Sequence, residues 1–273
     1  MIRAWLELNT FGTFATLALL YYGAAVVLVG LTSMPRLARR LKPFDGVVAP
    51  FFSSVAILFG LLTGFLANDV GDRNRQAVRA VQTEAGELRN VHALSVASAS
   101  DMAAIRIALK AFITSEVNEE WPAMLNGERS PRTRAAYDDL LREISDPTIT
   151  RDASGTVHAA LLAATVRAGT ARNDRLSLST DHTNDLKWTS VLLLGLITQL
   201  ALCLVHLGKP RAMLLALSVF GSGAIVALGL IALQEHPFEG AFRVSPAPLE
   251  RLLTLSDSGP NSALPALPTP PGK

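Results

Sequence analysis

Four long apolar segments dominate the hydrophobic pattern of this 273-residue chain: Phe11–Thr32, Val47–Ala67, Trp188–Val205 and Ala212–Leu233. None of them contains Asp, Glu, Lys, Arg or His. At ~1.5 Å per residue, a helix made from any of them is about long enough to cross a hydrocarbon core of ~30 Å. The pattern therefore predicts an all-α membrane protein with four transmembrane helices in two hairpins.

The polar stretch between the second and third segments, residues 68–187, has apolar residues at helical spacings of three and four. It predicts an extramembrane helical bundle inserted between spans two and three. The first helix is expected to run from about Pro50 past Val91, because no helix-breaking pair interrupts it.

Proline residues divide the rest of this stretch. A second helix is expected over about Asp101–Glu120 and is expected to stop at Trp121-Pro122, because proline disfavours helix at the preceding residue. Ser130-Pro131 predicts the start of the next helix, with the serine as N-cap. A last helix is expected to start near Ser154 and to continue into the third span.

These segments predict five regions along the chain. They are a first transmembrane hairpin (1–67), an extramembrane helical domain whose helices are continuous with spans two and three (68–187), a second transmembrane hairpin (188–233), a post-membrane segment (234–255) and a disordered, proline-rich tail (256–273).

Composition and motifs exclude several functions. A net charge of +2 without a basic stripe argues against a nucleic-acid partner. Phosphate-binding, dinucleotide-binding, zinc-protease and serine-hydrolase motifs are all absent, so we expect no catalytic residues, no enzyme activity and no cofactor. The single cysteine, Cys203, is expected to be buried, and no metal-ligand spacing occurs.

Pairs of acidic residues need a separate interpretation. Glu119-Glu120 and Asp138-Asp139 are interpreted as solvated helix faces. The alternative is a carboxylate cluster that binds a cation.

The absence of ionisable residues inside the spans disfavours a coupled transporter, which normally carries one. A channel remains possible, because channels use hydrophobic constrictions and rings of charge at their mouths. The second span fits this description. Its pore-lining candidates are Phe52, Phe59, Thr63, Asn68, Asp69 and Asp72. Under the alternative interpretation, its phenylalanines face lipid and Asp69 only marks the membrane surface.

Small residues in the spans predict close helix packing, within one subunit or between subunits. The candidates are Gly60 and Gly64 in the second span and Gly221 and Gly223 in the fourth. Gln199 is expected to form a hydrogen bond with a neighbouring helix.

Several local motifs carry a resemblance to a known family. They are Phe59-Gly60 with Gly64-Phe65 and the polar exit Asn68-Asp69; Glu84-Ala85 followed by Leu88; Glu120-Trp121-Pro122; Arg172 and Arg175; and Pro237-Phe238-Glu239-Gly240 followed by Arg243-Val244-Ser245-Pro246. Together they resemble the bacterial bestrophin-like family of four-span membrane proteins, over residues 47–255. The family-motif positions are Glu84, Glu120, Trp121, Pro122, Pro237, Phe238 and Gly240.

The resemblance implies a homo-oligomer, pentameric in bestrophins, that conducts inorganic ions through a pore lined by the second span. Residues between spans two and three would form a cytosolic helical domain. The bestrophin Asn-Pro-Pro pore signature is absent, so the pore candidates above are placed by their location alone. The leading hypothesis is an oligomeric ion channel. The alternative is a membrane-anchored sensor or scaffold whose helical domain binds a protein or ligand.

The expected location is the bacterial inner (plasma) membrane, with several spans in the lipid bilayer. Basic hairpin loops favour a cytoplasmic location for those loops, which would place the helical domain outside. Arginines also flank the spans on the domain side, among them Arg73 and Arg172, and the family resemblance implies the opposite orientation. We expect the helical domain to be cytosolic.

This orientation is testable with one cysteine placed in the loop Asn126–Arg132, in a Cys203→Ser background. A membrane-impermeant thiol reagent should label it only after the cells are opened, because a cytosolic loop is shielded by the membrane. The Cys203→Ser protein without the new cysteine is the control. Labelling of intact cells would contradict a cytosolic domain.

Overall fold

The computed structural model describes residues 2–34, 49–98, 101–152, 154–240 and 242–255. Within these ranges the chain forms helices, turns and short connections, and no strands. Most of the predicted basic loop of the first hairpin and the whole predicted tail, residues 256–273, lie outside the described residues.

Eleven α-helices are numbered here in chain order over the described ranges. They are α1 (Ile2–Leu6), α2 (Thr10–Ser33), α3 (Ala49–Ala97), α4 (Ala103–Ser115), α5 (Trp121–Leu125), α6 (Pro131–Ile144), α7 (Pro147–Asp152), α8 (Gly155–Thr180), α9 (Asp185–Val205), α10 (Pro210–Ala232) and α11 (Ala247–Glu250). A π-helical turn, Glu116–Glu120, joins α4 to α5, and a 3-10 turn, Arg251–Thr254, follows α11.

Within the described residues, four helices are long and apolar enough to cross a membrane, which agrees with the prediction of an all-helical protein with four spans. They are α2, the apolar first part of α3, α9 and α10. The expected continuity from Pro50 past Val91 is also found, since α3 is a single helix of 49 residues.

The chain divides into two compact units. The first contains residues 1–75 and 181–243, and the second contains residues 76–180 and 244–273. In the first unit, α2 packs along α10, and α9 contacts both. Aromatic side chains meet in its core: the ring centroids of Trp5 and Trp188 are 5.3 Å apart, and those of Phe59 and Phe220 are 5.4 Å apart.

A buried polar side chain links two helices of the first unit. Gln199 is buried, and its Nε2 donates a hydrogen bond to the backbone oxygen of Tyr21 at 3.0 Å. This confirms the predicted bond to a neighbouring helix. Cys203 is buried as predicted, beside the Met213 sulfur at 3.8 Å.

In the second unit, α4 packs against α6, and α6 packs against α8. Helix α6 begins as predicted, because the Ser130 hydroxyl accepts a hydrogen bond from the Thr133 amide at 3.2 Å. Two other predicted helix ends are wrong, and each has a local physical reason.

The helix that begins at Ala103 does not stop at Trp121-Pro122. It passes through the π-helical turn, in which the amide of Trp121 donates to the carbonyl of Glu116, five residues back. In an α-helix the proline ring clashes with the carbonyl four residues back. The wider turn relieves that clash, so the helical path continues into α5.

The helix that begins near Ser154 does not continue into the third span. Helix α8 ends at Thr180, and α9 starts anew at Asp185. The Asn184 side chain caps α9 by accepting a hydrogen bond from the Leu186 amide at 2.9 Å. Asparagine is one of the best N-cap residues, so this capping bond favours a fresh start over a continuous helix.

The packing of α2 on α9 gives a first stability prediction from the structure. A methyl group added at Gly195 would overlap the buried Tyr21 hydroxyl. We expect Gly195→Ala to lower the free energy of unfolding by about 1–3 kcal/mol, because a packed core resists added volume. Thermal unfolding in detergent measures the loss. Gly30→Ala on α2, with nothing within 4 Å of the new methyl, is the control. Equal midpoints for the two variants would contradict the prediction.

Candidate functional site

Family-motif residues that lie far apart in the sequence meet inside the second unit. The carboxylate–arginine cluster, as we name it, contains Glu84 from α3, Glu116 and Glu120 from the π-helical turn, and Arg172 and Arg175 from α8. All five are buried. Buried charges are stable only when they are paired and hydrogen-bonded, so the contacts within this cluster decide its charge state.

Arg175 is the centre of the cluster. Its Nε donates to Glu84 Oε2 at 2.7 Å, and its Nη2 donates to Glu84 Oε1 at 3.2 Å. The same Nη2 also donates to Glu120 Oε2 at 3.2 Å and to Glu116 Oε1. The guanidinium carbon lies 5.1 Å from the centre of the Trp121 ring, within the range of a cation–π interaction.

Arg172 pairs with Glu120, which Arg175 also contacts. Its Nε donates to Glu120 Oε2 at 2.7 Å and its Nη2 donates to Glu120 Oε1, so the pair is bidentate. The guanidinium carbon lies 5.9 Å from the centre of the Phe112 ring. The two arginines are spaced by three residues on α8, which places both on one helix face.

The π-helical turn brings Glu116 and Glu120 to the same side of the chain. A π turn adds one residue to a helical turn, and such turns are frequent at functional sites. Both residues of this pair are fully buried, whereas Glu119 between them is partly exposed and lies 3.7 Å from Arg132. In this widened turn, the carboxyl groups of Glu116 and Glu120 therefore point into the unit, and that of Glu119 points outward.

The cluster shifts the pKa of several of its members, among them Glu116 and Arg175, in physically clear directions. Burial, then repulsion and hydrogen bonding from Glu84, raises the pKa of Glu116 well above its ordinary value, although Arg175 opposes the shift. Burial alone would lower the pKa of Arg175. The neighbouring carboxylates, Glu84 first, outweigh burial and raise it, so this guanidinium stays charged.

The interpretation of Glu119-Glu120 as a solvated face is wrong for Glu120, which is completely buried. Asp138 and Asp139 are exposed, as expected. No group of acidic, histidine or cysteine side chains in the described part of the chain has the arrangement of a metal site. The positive charges inside the cluster are guanidinium groups.

The pore-lining candidates on α3 do not share one face. Phe59 is buried in the core of the first unit, against Phe220. Phe52 is partly buried against Leu217 and its neighbours, and Thr63 is partly buried as well. Asn68 is exposed, and its Nδ2 donates to Asp72 Oδ2 at 3.1 Å.

A different face of α3 points out of the first unit. It carries Ile57, Leu61 and Phe65, whose exposed fractions are 68%, 51% and 60%. Gly60 and Gly64 are exposed beside them, and a methyl group at either would meet nothing within 4 Å in the chain. These residues repeat every four positions, so they form two adjacent stripes along the helix.

At the end of its apolar part, α3 carries an ion pair to α9. Lys187 Nζ donates to Asp69 Oδ2, and both side chains are partly exposed. The pair lines the polar end of an open cavity of ≈ 450 Å³, whose apolar wall includes Leu62, Leu66 and Val191. At this end of α3 and α9, the mouth of the cavity is therefore polar, and its two charges balance each other.

A separate buried carboxylate, Glu235, joins the ends of three segments in the first unit. Its Oε1 accepts from Arg73 at 2.8 Å and from the Thr183 amide at 2.7 Å, and its Oε2 accepts from Trp188 Nε1 at 3.2 Å. The nearby family-motif residue Phe238 is buried, and Pro237 is buried next to it. Gly240 has φ of 73°, a conformation that favours glycine.

The packing glycines differ in their surroundings. Gly221 is buried, with Tyr22, Gln199 and Tyr21 atoms 3.6–3.7 Å from where a methyl group would lie. Gly223 has nothing within 4 Å in the chain. Any role of Gly60, Gly64 and Gly223 in packing thus belongs to contacts with other molecules and stays a prediction.

Sequence reasoning missed Glu116 and Glu235. Glu116 precedes Glu120 by four residues, and this spacing resembles that of Arg172 and Arg175 on one helix face. The match of two acidic with two basic residues at helical spacings was the available signal. Glu235 gave no comparable signal, because its partners Arg73 and Thr183 are distant in sequence.

Comparison with known proteins agrees with this architecture. A family model described as a Bestrophin-like domain matches residues 18–249. A mutant of a bacterial bestrophin homolog from Klebsiella pneumoniae is similar in structure, with a TM-score of 0.66, 15% identity, and coverage of 88% of this chain and 96% of that chain. No curated protein matches the sequence.

Two further solved structures are similar. Another structure of the Klebsiella pneumoniae homolog has a TM-score of 0.66 and 13% identity, covering 88% of this chain and 95% of that chain. A membrane protein carrying one substitution has a TM-score of 0.68 and 13% identity, covering 88% and 96% of the two chains. At these identities the likeness concerns the fold.

The cluster predicts a strong dependence of stability on Arg175. We expect Arg175→Met to lower the free energy of unfolding by about 3–5 kcal/mol, because it leaves buried carboxylates without their shared partner. Thermal unfolding of the purified protein in detergent measures the loss. Arg167→Met, which removes the exposed pair with Glu87, is the control and should leave the midpoint nearly unchanged. A similar midpoint for both variants would contradict the central role of Arg175.

Proposed function

The chain belongs to the bestrophin-like family, and from this premise we propose that it is an oligomeric ion channel whose pore is lined by α3. Bestrophins are ion channels rather than enzymes, and the four apolar helices here agree with a membrane location. The observation that carries the proposal is the outward face of α3.

This outward face has the composition of a pore rather than of a lipid contact. It begins at Ser53 and Ser54, continues through large apolar residues, and ends at the polar residue Asn68. A helix that faces lipid has no need for exposed serine and asparagine side chains along the same line. A pore with an apolar constriction between polar mouths has both features.

The constriction in this proposal is formed by Ile57, Leu61 and Phe65. It replaces the pore-lining candidates Phe52 and Phe59, which pack against the chain's own helices, and Thr63, which is partly buried. The buried ring of Phe59 lies on the opposite side of α3 and packs against Phe220, which helps to fix the position of the helix. The three outward residues are each more than half exposed and are available to a pore.

The mouth beyond the constriction carries charge. Asn68 and Asp72 follow Phe65 on the same side of the helix and are hydrogen-bonded to each other. Asp69 is paired with Lys187 of α9, so its charge is balanced within the subunit. Asp72 is paired in turn with Arg75 on α3, so in a ring of subunits both carboxylates would line the mouth as ion pairs.

Several copies of α3 are needed to enclose a pore, so the proposal requires a homo-oligomer, pentameric by analogy with bestrophins. Gly60 and Gly64 are exposed next to the proposed constriction. Small residues allow close approach of helices in membranes, so this stripe suits contact between neighbouring subunits. Inorganic ions and the lipid bilayer are the expected partners.

The finer topology is part of the proposal. The four spans form two hairpins in the bacterial inner membrane, and the helical domain inserted between spans two and three is cytosolic. The division into regions 1–67, 68–187, 188–233, 234–255 and 256–273 stays a prediction, except that α8 ends before the third span begins.

The proposal predicts that Leu61→Ala increases ion flux severalfold. A smaller side chain widens the apolar constriction and lowers the barrier that dewetting imposes on ions. Flux is measured in liposomes that contain equal amounts of purified, oligomeric protein. Leu215→Ala, which shortens an exposed leucine on α10, is the matched control and should leave the flux unchanged.

Two results would contradict the proposal in different ways. Absence of flux from well-folded wild-type oligomers would exclude a channel and favour the membrane-anchored scaffold. Flux that is equal in the wild type, Leu61→Ala and Leu215→Ala would keep the channel and exclude α3 as its lining.

A further inference from the structure

The carboxylate–arginine cluster has more acidic than basic groups. Three buried carboxyl groups face two buried guanidinium groups. If all five were ionised, the interior of the second unit would hold one unmatched negative charge. An unmatched buried charge is costly, and proteins normally avoid it by changing the protonation state of a group.

Glu116 is the carboxyl group with the fewest donors. Its Oε1 accepts from Arg175 Nη2, while its Oε2 is buried and has no hydrogen-bond donor. Glu84 Oε1 and Glu116 Oε1 both accept from Arg175 Nη2, so the two carboxyl groups are neighbours. An ionised carboxylate only accepts hydrogen bonds, so two facing carboxyl groups form a hydrogen bond only when one of them carries a proton.

We infer that the cluster is a proton-binding site, in which Glu116 is a neutral carboxylic acid that donates a hydrogen bond to Glu84. A proton on Oε2 turns the oxygen without a donor into a donor, and Glu84 is the acceptor beside it. The remaining oxygen, Oε1, still accepts from Arg175, as the carbonyl oxygen of an acid does. The charge of the cluster is then zero.

The other members of the cluster fit this assignment. Glu84 accepts two hydrogen bonds from Arg175 and is the carboxylate of that ion pair. Glu120 accepts two from Arg172 and one from Arg175, so it is ionised as well. Among the described residues, these two carboxylates and two guanidiniums are the charged groups that act on Glu116.

The nearest phenol does not compete for the proton. Tyr137, whose ring meets Phe112, donates its hydroxyl hydrogen to the backbone oxygen of Thr165 at 3.1 Å. Trp121 and Phe112 cover the two guanidiniums with aromatic rings, which keeps the surroundings of the cluster apolar. The proton is thus held between two carboxyl groups inside a closed space.

The proton makes the stability of the protein depend on pH. In the unfolded chain Glu116 loses its proton near pH ~4.3, the ordinary pKa of glutamate. The folded protein keeps the proton to higher pH, so folding binds a proton in the range between these two pKa values. Stability is therefore greatest at low pH in this range and decreases as the pH rises through the native pKa.

Glu116→Gln tests the inference, because glutamine keeps the shape and can donate to Glu84 without a titrating proton. The measurement is the thermal midpoint of the full-length protein in detergent as the pH rises. The midpoint of the wild type should fall more steeply than that of Glu116→Gln, by ~3 °C per pH unit, up to the pH at which folded Glu116 loses its proton. The control is Glu119→Gln, which changes the outward-facing glutamate next to Glu120. Its thermal midpoint should depend on pH as that of the wild type does. Equal pH slopes for the wild type and Glu116→Gln would overturn the inference.

Infrared spectroscopy detects the proton directly through the carbonyl stretch of a buried carboxylic acid. The wild type and Glu119→Gln should show this band at neutral pH, and Glu116→Gln should lack it. If Glu116→Gln does not fold, Glu84→Gln replaces it, because Glu116 then ionises beside Arg175 and the band is lost. Absence of the band from the wild type, or its persistence in the folded variant, would overturn the inference.

Discussion

The guanidinium of Arg175 is the charge on which the second unit depends. Helix α3, the π-helical turn and α8 each contribute a residue that contacts it or lies beside it, through Glu84, Glu116 and Arg172. Its own charge is stable in the interior only because carboxylates surround it, and they are stable only because of the arginine. The packing of these elements and the charge state of the cluster therefore depend on each other.

The first unit follows the opposite rule. Its spans contain no ionisable residue, so their helices associate through small residues and aromatic contacts, as at Gly195 beside Tyr21. Charge appears only where the spans end. There the buried Glu235 accepts hydrogen bonds from Arg73, a backbone amide and Trp188. These bonds connect the ends of the apolar helices. The helices of the first unit are thus held mainly by apolar packing, whereas those of the second unit are also held by buried ion pairs.

The sequence predicts the membrane class and the four spans well, because lipid excludes charge and leaves long uncharged segments. It also predicts the family, through motifs such as Glu120-Trp121-Pro122. It does not predict that Glu120 is buried. Regular helical spacing cannot reveal a π turn, and the partner Arg172 lies 52 residues away. The outward face of α3 is similarly hidden, because which side of a uniformly apolar helix packs inward depends on helices distant in sequence.

The π-helical turn at Glu116–Glu120 also has a meaning for evolution. A π turn is equivalent to the insertion of one residue into an α-helix. Relatives without this residue would have an ordinary α-helix here, and every side chain after it would be rotated by about 100° relative to this chain. In such relatives α5, which starts at Trp121, would present its side chains in a different direction relative to Glu116. A one-residue gap at this position in an alignment would therefore separate proteins whose ring at position 121 can cover the arginine from proteins in which that ring points elsewhere.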